Sequence, residues 1–178
     1  MPKPNIILTG FMATGKSSVG RRLAVLLDYD FIDTDDCIES RCGKTVTAIF
    51  QEDGEPVFRQ MEAAMARELA GRQGLVIATG GRLMLDPANA AVLSRNGKVF
   101  CLTAAPGEIL ARVSGDDVRR RPLLDAADPL TRIEVLLRRR QHGYRRFPQV
   151  VTTGKSEAEV TRELIDRIRK DSEFRLPQ

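Results

Sequence analysis

The sequence predicts an α/β domain, a parallel sheet flanked by helices, on three observations. Short apolar runs alternate with stretches of helical periodicity. The first run, Ile6, Ile7 and Leu8, leads without a gap into Gly10, Gly15, Lys16 and Ser17, which match G-x-x-x-x-G-K-[ST]. Carboxylates and paired glycines collect where later strands should end, the place where open α/β sheets gather their ligands.

The first strand and turn, NIILTGFMATGKSSVG from Asn5 to Gly20, are the centre of the reading. The glycines let successive backbone N–H groups turn inward around the β- and γ-phosphates of a nucleotide, and the following helix offers its positive end to the same anion. Lys16 reaches the β/γ oxygens in this reading, and the Ser17 hydroxyl sits on Mg²⁺. Val19, Leu23, Leu26 and Leu27 supply the helix's apolar stripe. A glycine-rich turn with a surface lysine would leave the spacing of these four residues unexplained.

At 178 residues and 42% hydrophobic, the chain fits one domain over 1–178 with a substantial core. Met1 to Pro4 are too short and polar for a signal peptide, and no apolar stretch approaches the ~20 residues that span a bilayer. Three cysteines, Cys37, Cys42 and Cys101, form no C-x-x-C pair, so neither a disulfide framework nor a zinc site is expected, and a cytoplasmic protein is. The net charge of +4 is unevenly spread: Arg119 to Arg146 carries nine arginines against Asp125, Asp128 and Glu134. Charge alone leaves small anions and nucleic acid both open as partners, but 5% aromatic residues offer few platforms for stacking single strands.

Asp30 to Asp33 reads as a second strand, ending in Asp33-Thr34-Asp35-Asp36 before a helix that Gly43 closes. Asp33 and Asp35 either meet what the phosphate loop holds or merely cap that helix. Thr45 to Phe50 begins another turn, and Glu55-Pro56 opens a longer helix with Phe58, Met61, Met65 and Leu69 as its buried stripe. By spacing alone, Arg59 on the flank of that stripe pairs with Glu62 or Glu55 at the surface. Leu75 to Thr79 is the third strand, followed by Gly80-Gly81, which lets backbone amides approach a ligand or simply makes a tight turn. No acid stands at that strand's end, so Asp33 is the candidate carboxylate for the metal.

Asp86-Pro87 opens a helix before the fourth strand, Lys98 to Leu102, and Pro106 begins the helix through Val113. Ser114 to Asp128 lacks periodicity, as a lid or a disordered segment would, and Arg119, Arg120 and Arg121 favour a lid closing on phosphate. Asp128-Pro129 caps the next helix, whose core side is Leu130, Ile133, Leu136, Leu137 and Tyr144. At about 100° per residue, Arg140 falls within about 20° of Ile133 and about 40° of Leu136 and Tyr144. A guanidinium on that face costs too much desolvation unless an anion meets it, so Arg140 is a candidate carboxylate or phosphate ligand. Gln149 to Thr152 is the fifth strand, Ser156 to Glu159 a capping box for a final helix to about Lys170, and Asp171 to Gln178 a loose tail.

With those elements in place, the chain resembles the shikimate kinases over nearly its whole length. The resemblance rests on GFMATGKSSVG, FIDTDDCIE at Phe31 to Glu39, GEPVFRQME at Gly54 to Glu62, TGG at Thr79 to Gly81, RRPLL at Arg120 to Leu124, and the arginine helix ending in Tyr144. It implies a five-stranded parallel sheet of the P-loop, nucleoside-monophosphate-kinase-like type, with a shikimate-binding region at about 33–62 and a lid at about 114–128. It also implies phosphorylation of the 3-hydroxyl of shikimate by ATP with Mg²⁺, in aromatic amino-acid biosynthesis. The chain would then be a monomer with no nucleic-acid or membrane partner.

Carried over by residue, the resemblance assigns ATP to Gly10, Ala13, Thr14, Gly15, Lys16, Ser17 and Ser18, with Arg121 from the lid and Lys155 beside the adenine. Asp33 joins Ser17 near the metal. Shikimate falls to Asp35, also the expected base, and to Gly80, Gly81, Arg59 and Arg140; the last two would hold its carboxylate, against the surface reading of Arg59. Lys16, Asp35 and Arg121 are the catalytic set. Two departures stand out: Arg82 occupies the family's third glycine position, and the segment Arg112 to Arg121 is about two residues longer than usual. If Arg82 turns inward, the alternative is a related kinase for a sugar acid or a nucleotide.

Overall fold

The computed structural model describes residues 3–113 and 128–170. Arg121, the predicted lid apart from Asp128, and the tail from Asp171 to Gln178 lie outside the described residues. Five strands form one parallel sheet: β1 Asn5–Gly10, β2 Asp30–Asp33, β3 Leu75–Ala78, β4 Gly97–Thr103 and β5 Gln149–Val151, in the order β2-β3-β1-β4-β5. The helices among the described residues are α1 Lys16–Leu27, α2 Thr34–Cys42, α3 Val46–Glu52, α4 Glu55–Ala70, α5 Pro87–Ser94, α6 Pro106–Arg112, α7 Pro129–Tyr144 and α8 Glu157–Lys170. A 3₁₀ turn at Leu83–Leu85, which the sequence pattern does not announce, precedes α5.

Every residue of β1 is buried, because helices cover both faces of the sheet. Side chains alternate across a strand, so Ile6 and Leu8 join Leu23 of α1 and Leu164 of α8 on one side, while Ile7 joins Met65 and Leu69 of α4 on the other. The predicted helix signals are used as capping physics requires. Asp86 accepts from the N–H groups of Ala88 and Asn89, Asp128 from Thr131, and Ser156 and Glu159 bond reciprocally.

Two expected core positions are corrected. Leu26 is 58% exposed, and its place in the buried face of α1 is taken by Gly20 and Ala24. A Cβ at Gly20 would stand 2.6 Å from the Phe31 ring, so the helix lies close against its neighbour there and rotates Leu26 outward. Leu130 is likewise exposed, because the cluster around Phe11 and Ile109 takes in α7 only from Ile133 onward.

The strand order positions the site. The chain passes from β1 to the far edge at β2, returns through β3, and then crosses β1 to β4. The segments that leave the carboxyl ends of β1, β2 and β3 therefore open into one crevice, the expected ligand position in such sheets.

Candidate active site

β1 ends at Gly10, whose φ of 134° and contact with the Leu102 carbonyl leave no room for a side chain. Ala13 and Gly15 follow with φ of 55° and 94°, left-handed conformations that turn consecutive amides to one side of the loop. Ala13 adopts this strained region without being glycine, a feature that the sequence does not reveal. No side chain caps α1, so its first N–H groups are open to an anion. Thr14 Oγ1 and Lys16 Nζ both donate to the Phe11 carbonyl, at 2.8 and 2.7 Å, and Ser18 Oγ donates to the Gly15 carbonyl at 3.2 Å. Arg112, at the end of α6, braces the loop from outside through the Ala13 carbonyl at 3.2 Å and the Thr152 carbonyl at 2.9 Å. Nothing in the spacing of residues so far apart in sequence could have found that brace.

Asp33 uses both oxygens, one to cap α2 and one to meet a residue of the phosphate loop. Its Oδ1 accepts from the Asp35 N–H at 3.1 Å as the cap of α2, and its Oδ2 accepts from Ser17 Oγ at 2.6 Å. Asp35 lies in the first turn of α2 with its Oδ1 buried and lacking a hydrogen-bond partner. Burial, reinforced by the charges of Asp33 and Glu62 and opposed by Lys16, pushes its carboxyl up to about 7.

Glu62 is the residue that sequence reasoning missed, having entered it only as a partner for Arg59. It is 1% exposed, its Oε1 lacks a partner, and burial raises its pKa despite Arg59. The signal was available: Glu62 lies four residues after Phe58, on the apolar stripe of α4, and a carboxylate there is as costly as the guanidinium of Arg140 on α7. Both orphaned oxygens face the turn after β3. A Cβ at Gly80 would stand 2.5 Å from Asp35 Oδ1 and 3.0 Å from Glu62 Oε1. Gly80→Ala is therefore expected to displace Asp35 and lower kcat roughly a hundredfold while the far-ultraviolet dichroism stays native; an unchanged kcat would show that the crowding is absorbed elsewhere.

Arg59 makes both contacts that its spacing offers. Nη1 donates to Glu62 Oε2 at 2.5 Å, and Nε and Nη2 donate to Glu55 Oε1 at 3.1 and 3.0 Å. It is nevertheless no ordinary surface charge, since its guanidinium lies 5.5 and 5.3 Å from the Phe50 and Phe58 ring centroids at the wall of the crevice. Arg140 reaches the same crevice from α7, 5.3 Å from the Phe11 ring centroid. Tyr144, one turn further on, donates its hydroxyl to the Gly81 carbonyl at 2.5 Å and fixes the glycine turn. Burial pushes that phenol up to about 12, so it stays a neutral donor.

The result is a cleft of about 670 Å³ bordered by Lys16, Ser17, Asp35, Gly81, Arg59 and Arg140. Ala13, Gly15, Ser18, Asp33 and Gly80 also border it, whereas Gly10 and Thr14 support the loop from behind. Lys155 does not reach this cleft; its Nζ is bonded to Glu163 at 2.7 Å in the segment before α8. Arg82 stands on the rim, its Nη1 2.7 Å from Glu55 Oε1.

A phosphate loop at the switch point of a five-stranded parallel sheet, opening on a cleft with a carboxylate and separate guanidinium groups, defines a P-loop kinase. The model of the family "Shikimate kinase" matches residues 12–169. A shikimate kinase of Pelotomaculum thermopropionicum is 44% identical over 170 residues, covering 96% of this chain and 98% of the relative. One from Cupriavidus pinatubonensis is 42% identical over 86% of this chain and 79% of its own length. The solved structure of shikimate kinase from Acinetobacter baumannii in complex with shikimate superposes with a TM-score of 0.89 at 34% identity, over 96% of this chain and 95% of that one. This chain belongs to the shikimate kinase family.

Proposed function

We propose that this chain transfers the γ-phosphoryl group of ATP to the 3-hydroxyl of shikimate. The observation that carries the reading is that Asp35, Arg59 and Arg140, which come from three helices, border one cleft with Lys16. Family membership supports the same assignment.

Phosphoryl transfer requires alignment and charge neutralisation more than covalent help from the protein. Lys16 and the amides from Ala13 to Ser18 hold the β- and γ-phosphates. The hard oxygen donors of Ser17 and Asp33, 2.6 Å apart, suit Mg²⁺, which binds few protein ligands and shares the rest with phosphate and water. That ion would neutralise charge on the phosphates. Arg59 and Arg140 grip the acceptor's carboxylate, fixing a small ring so that its 3-hydroxyl lies beside Asp35. As the hydroxyl oxygen bonds to the γ-phosphorus and the bond to the β-phosphate oxygen breaks, Asp35 takes the hydroxyl proton and ADP leaves. Arg121, outside the described residues, is the proposed source of further positive charge at the phosphates, delivered by a lid at about 114–128.

The reading further takes residues 1–178 as one kinase domain, cytoplasmic and monomeric, without a nucleic-acid partner. Free Cys37, Cys42 and Cys101 agree with a reducing compartment, and no described helix is long and apolar enough to cross a membrane. ADP release measured with and without millimolar shikimate tests the assignment. Strong stimulation is expected; its absence, with turnover of a sugar acid or a nucleotide instead, would replace shikimate as the acceptor. That second reading is not favoured, because the ion pair of Arg82 with Glu55 keeps the guanidinium at the rim.

A further inference from the structure

Among the described residues, Arg82 is an arginine of the cleft that the mechanism above does not use. Its backbone is ordinary, with φ of −118°, so the side chain is accommodated without strain. The side chain is half exposed and donates to Glu55 Oε1, the same oxygen that accepts from Nε and Nη2 of Arg59. Arg59 in turn reaches Glu62, so Arg82, Glu55, Arg59 and Glu62 form one continuous chain of ion pairs. It ties the turn after β3 to the first two turns of α4. Arg82 also borders an adjoining hollow of about 450 Å³ with Glu55, Arg59 and Glu62, and its charge is felt at Glu62 and Tyr144 within the site.

The charge balance around Arg59 depends on Arg82. Arg59, Arg82 and Arg140 bring three positive charges against the three carboxylates of Glu55, Glu62 and Asp86, an even balance. Without Arg82 the balance falls to one net negative charge, and Glu55 competes undivided for Arg59. An incoming carboxylate would then meet a guanidinium already satisfied by acids of the protein itself.

We propose that Arg82 is a positioning residue for the acceptor's carboxylate: by occupying Glu55 it leaves Arg59 with binding capacity and keeps a net negative charge from facing that carboxylate. The proposal rests on the shikimate reading above. It deepens that reading by making recognition of an anionic acceptor depend on charge balance beyond the two gripping arginines.

The test is a steady-state kinetic cycle on the full chain with Arg82→Gly, Arg82→Lys, Glu55→Gln and the double variant Arg82→Gly/Glu55→Gln. Arg82→Gly is expected to raise the shikimate KM roughly fivefold, with kcat and the ATP KM within about twofold of the parent, and Arg82→Lys to restore most of the loss. The double variant restores the parent's charge balance, so its shikimate KM should return towards that of the parent. A simple structural tie predicts the opposite, because the bridge is broken in the single and double variants alike. An unchanged KM in Arg82→Gly, or a double variant no better than Arg82→Gly, overturns the proposal. A parent that fails to phosphorylate shikimate overturns the acceptor assignment instead, so the two failures are distinguishable.

Discussion

Asp35→Asn is expected to bind ATP as tightly as the parent and to lose a factor of about 10²–10⁴ in kcat, the usual range for a positioned base. The substitution keeps size and shape and removes the negative charge, and with it the capacity to take the hydroxyl's proton. The pH dependence follows from the site. Burial, with Asp33 and Glu62 nearby, holds the Asp35 carboxyl at about 7, so kcat/KM for shikimate should rise with pH through roughly that value. The same group costs the folded state stability. A carboxyl with a raised folded pKa stabilises the fold fully below its unfolded value near 3.8, and that contribution is lost as pH rises towards 7. Without ligands, Asp35→Asn should therefore melt above the parent at pH 8, and the advantage should vanish at pH 4. Equal turnover of variant and parent would remove Asp35 from its catalytic role; equal melting at pH 8 would show that the carboxylate is not strained by burial.

Arg140→Ala should raise the shikimate KM roughly 10- to 150-fold, the loss expected for a charge-assisted hydrogen bond to a carboxylate, while the ATP KM changes little. Arg140 is a cleaner probe than Arg59, since removing Arg59 would also strip the buried Glu62 and the rim Glu55 of their shared partner. Arg140→Lys should rescue only in part, because an ammonium provides neither the planar fork nor the same stacking on Phe11. A shikimate KM unchanged in Arg140→Ala would place the acceptor's carboxylate elsewhere.

Much of this was legible in the chain because it depends on local spacing. The phosphate loop is contiguous, the caps at Asp86, Asp128 and Ser156 are decided within three residues, and the place of Arg140 on the apolar face of α7 follows from helical periodicity. Arg59 shows the limit of such reading. Spacing supplied both of its partners correctly, yet it could not tell that the flank of α4 carrying them borders a cleft. Glu62 is hidden for a different reason: its spacing from Arg59 reads as a surface pair, although the apolar stripe around it marks it as buried. Leu26 went the other way, since its periodicity favours the core and the close approach at Gly20 turns it out to solvent.

By itself, then, the sequence determined the class of fold, the phosphate-loop motif and most of the residues that border the cleft, all set by residue type and by separations of a few positions. Tertiary structure alone decided that one oxygen of Asp33 caps while the other meets Ser17, that Arg112 braces the phosphate loop, that Asp35 and Glu62 share one crowded glycine turn, and that Arg82 closes on Glu55. Periodicity fixes which face of an element is buried. The strand order of the sheet brings those faces together across long stretches of chain, and the distances it sets decide charge balance and proton affinity.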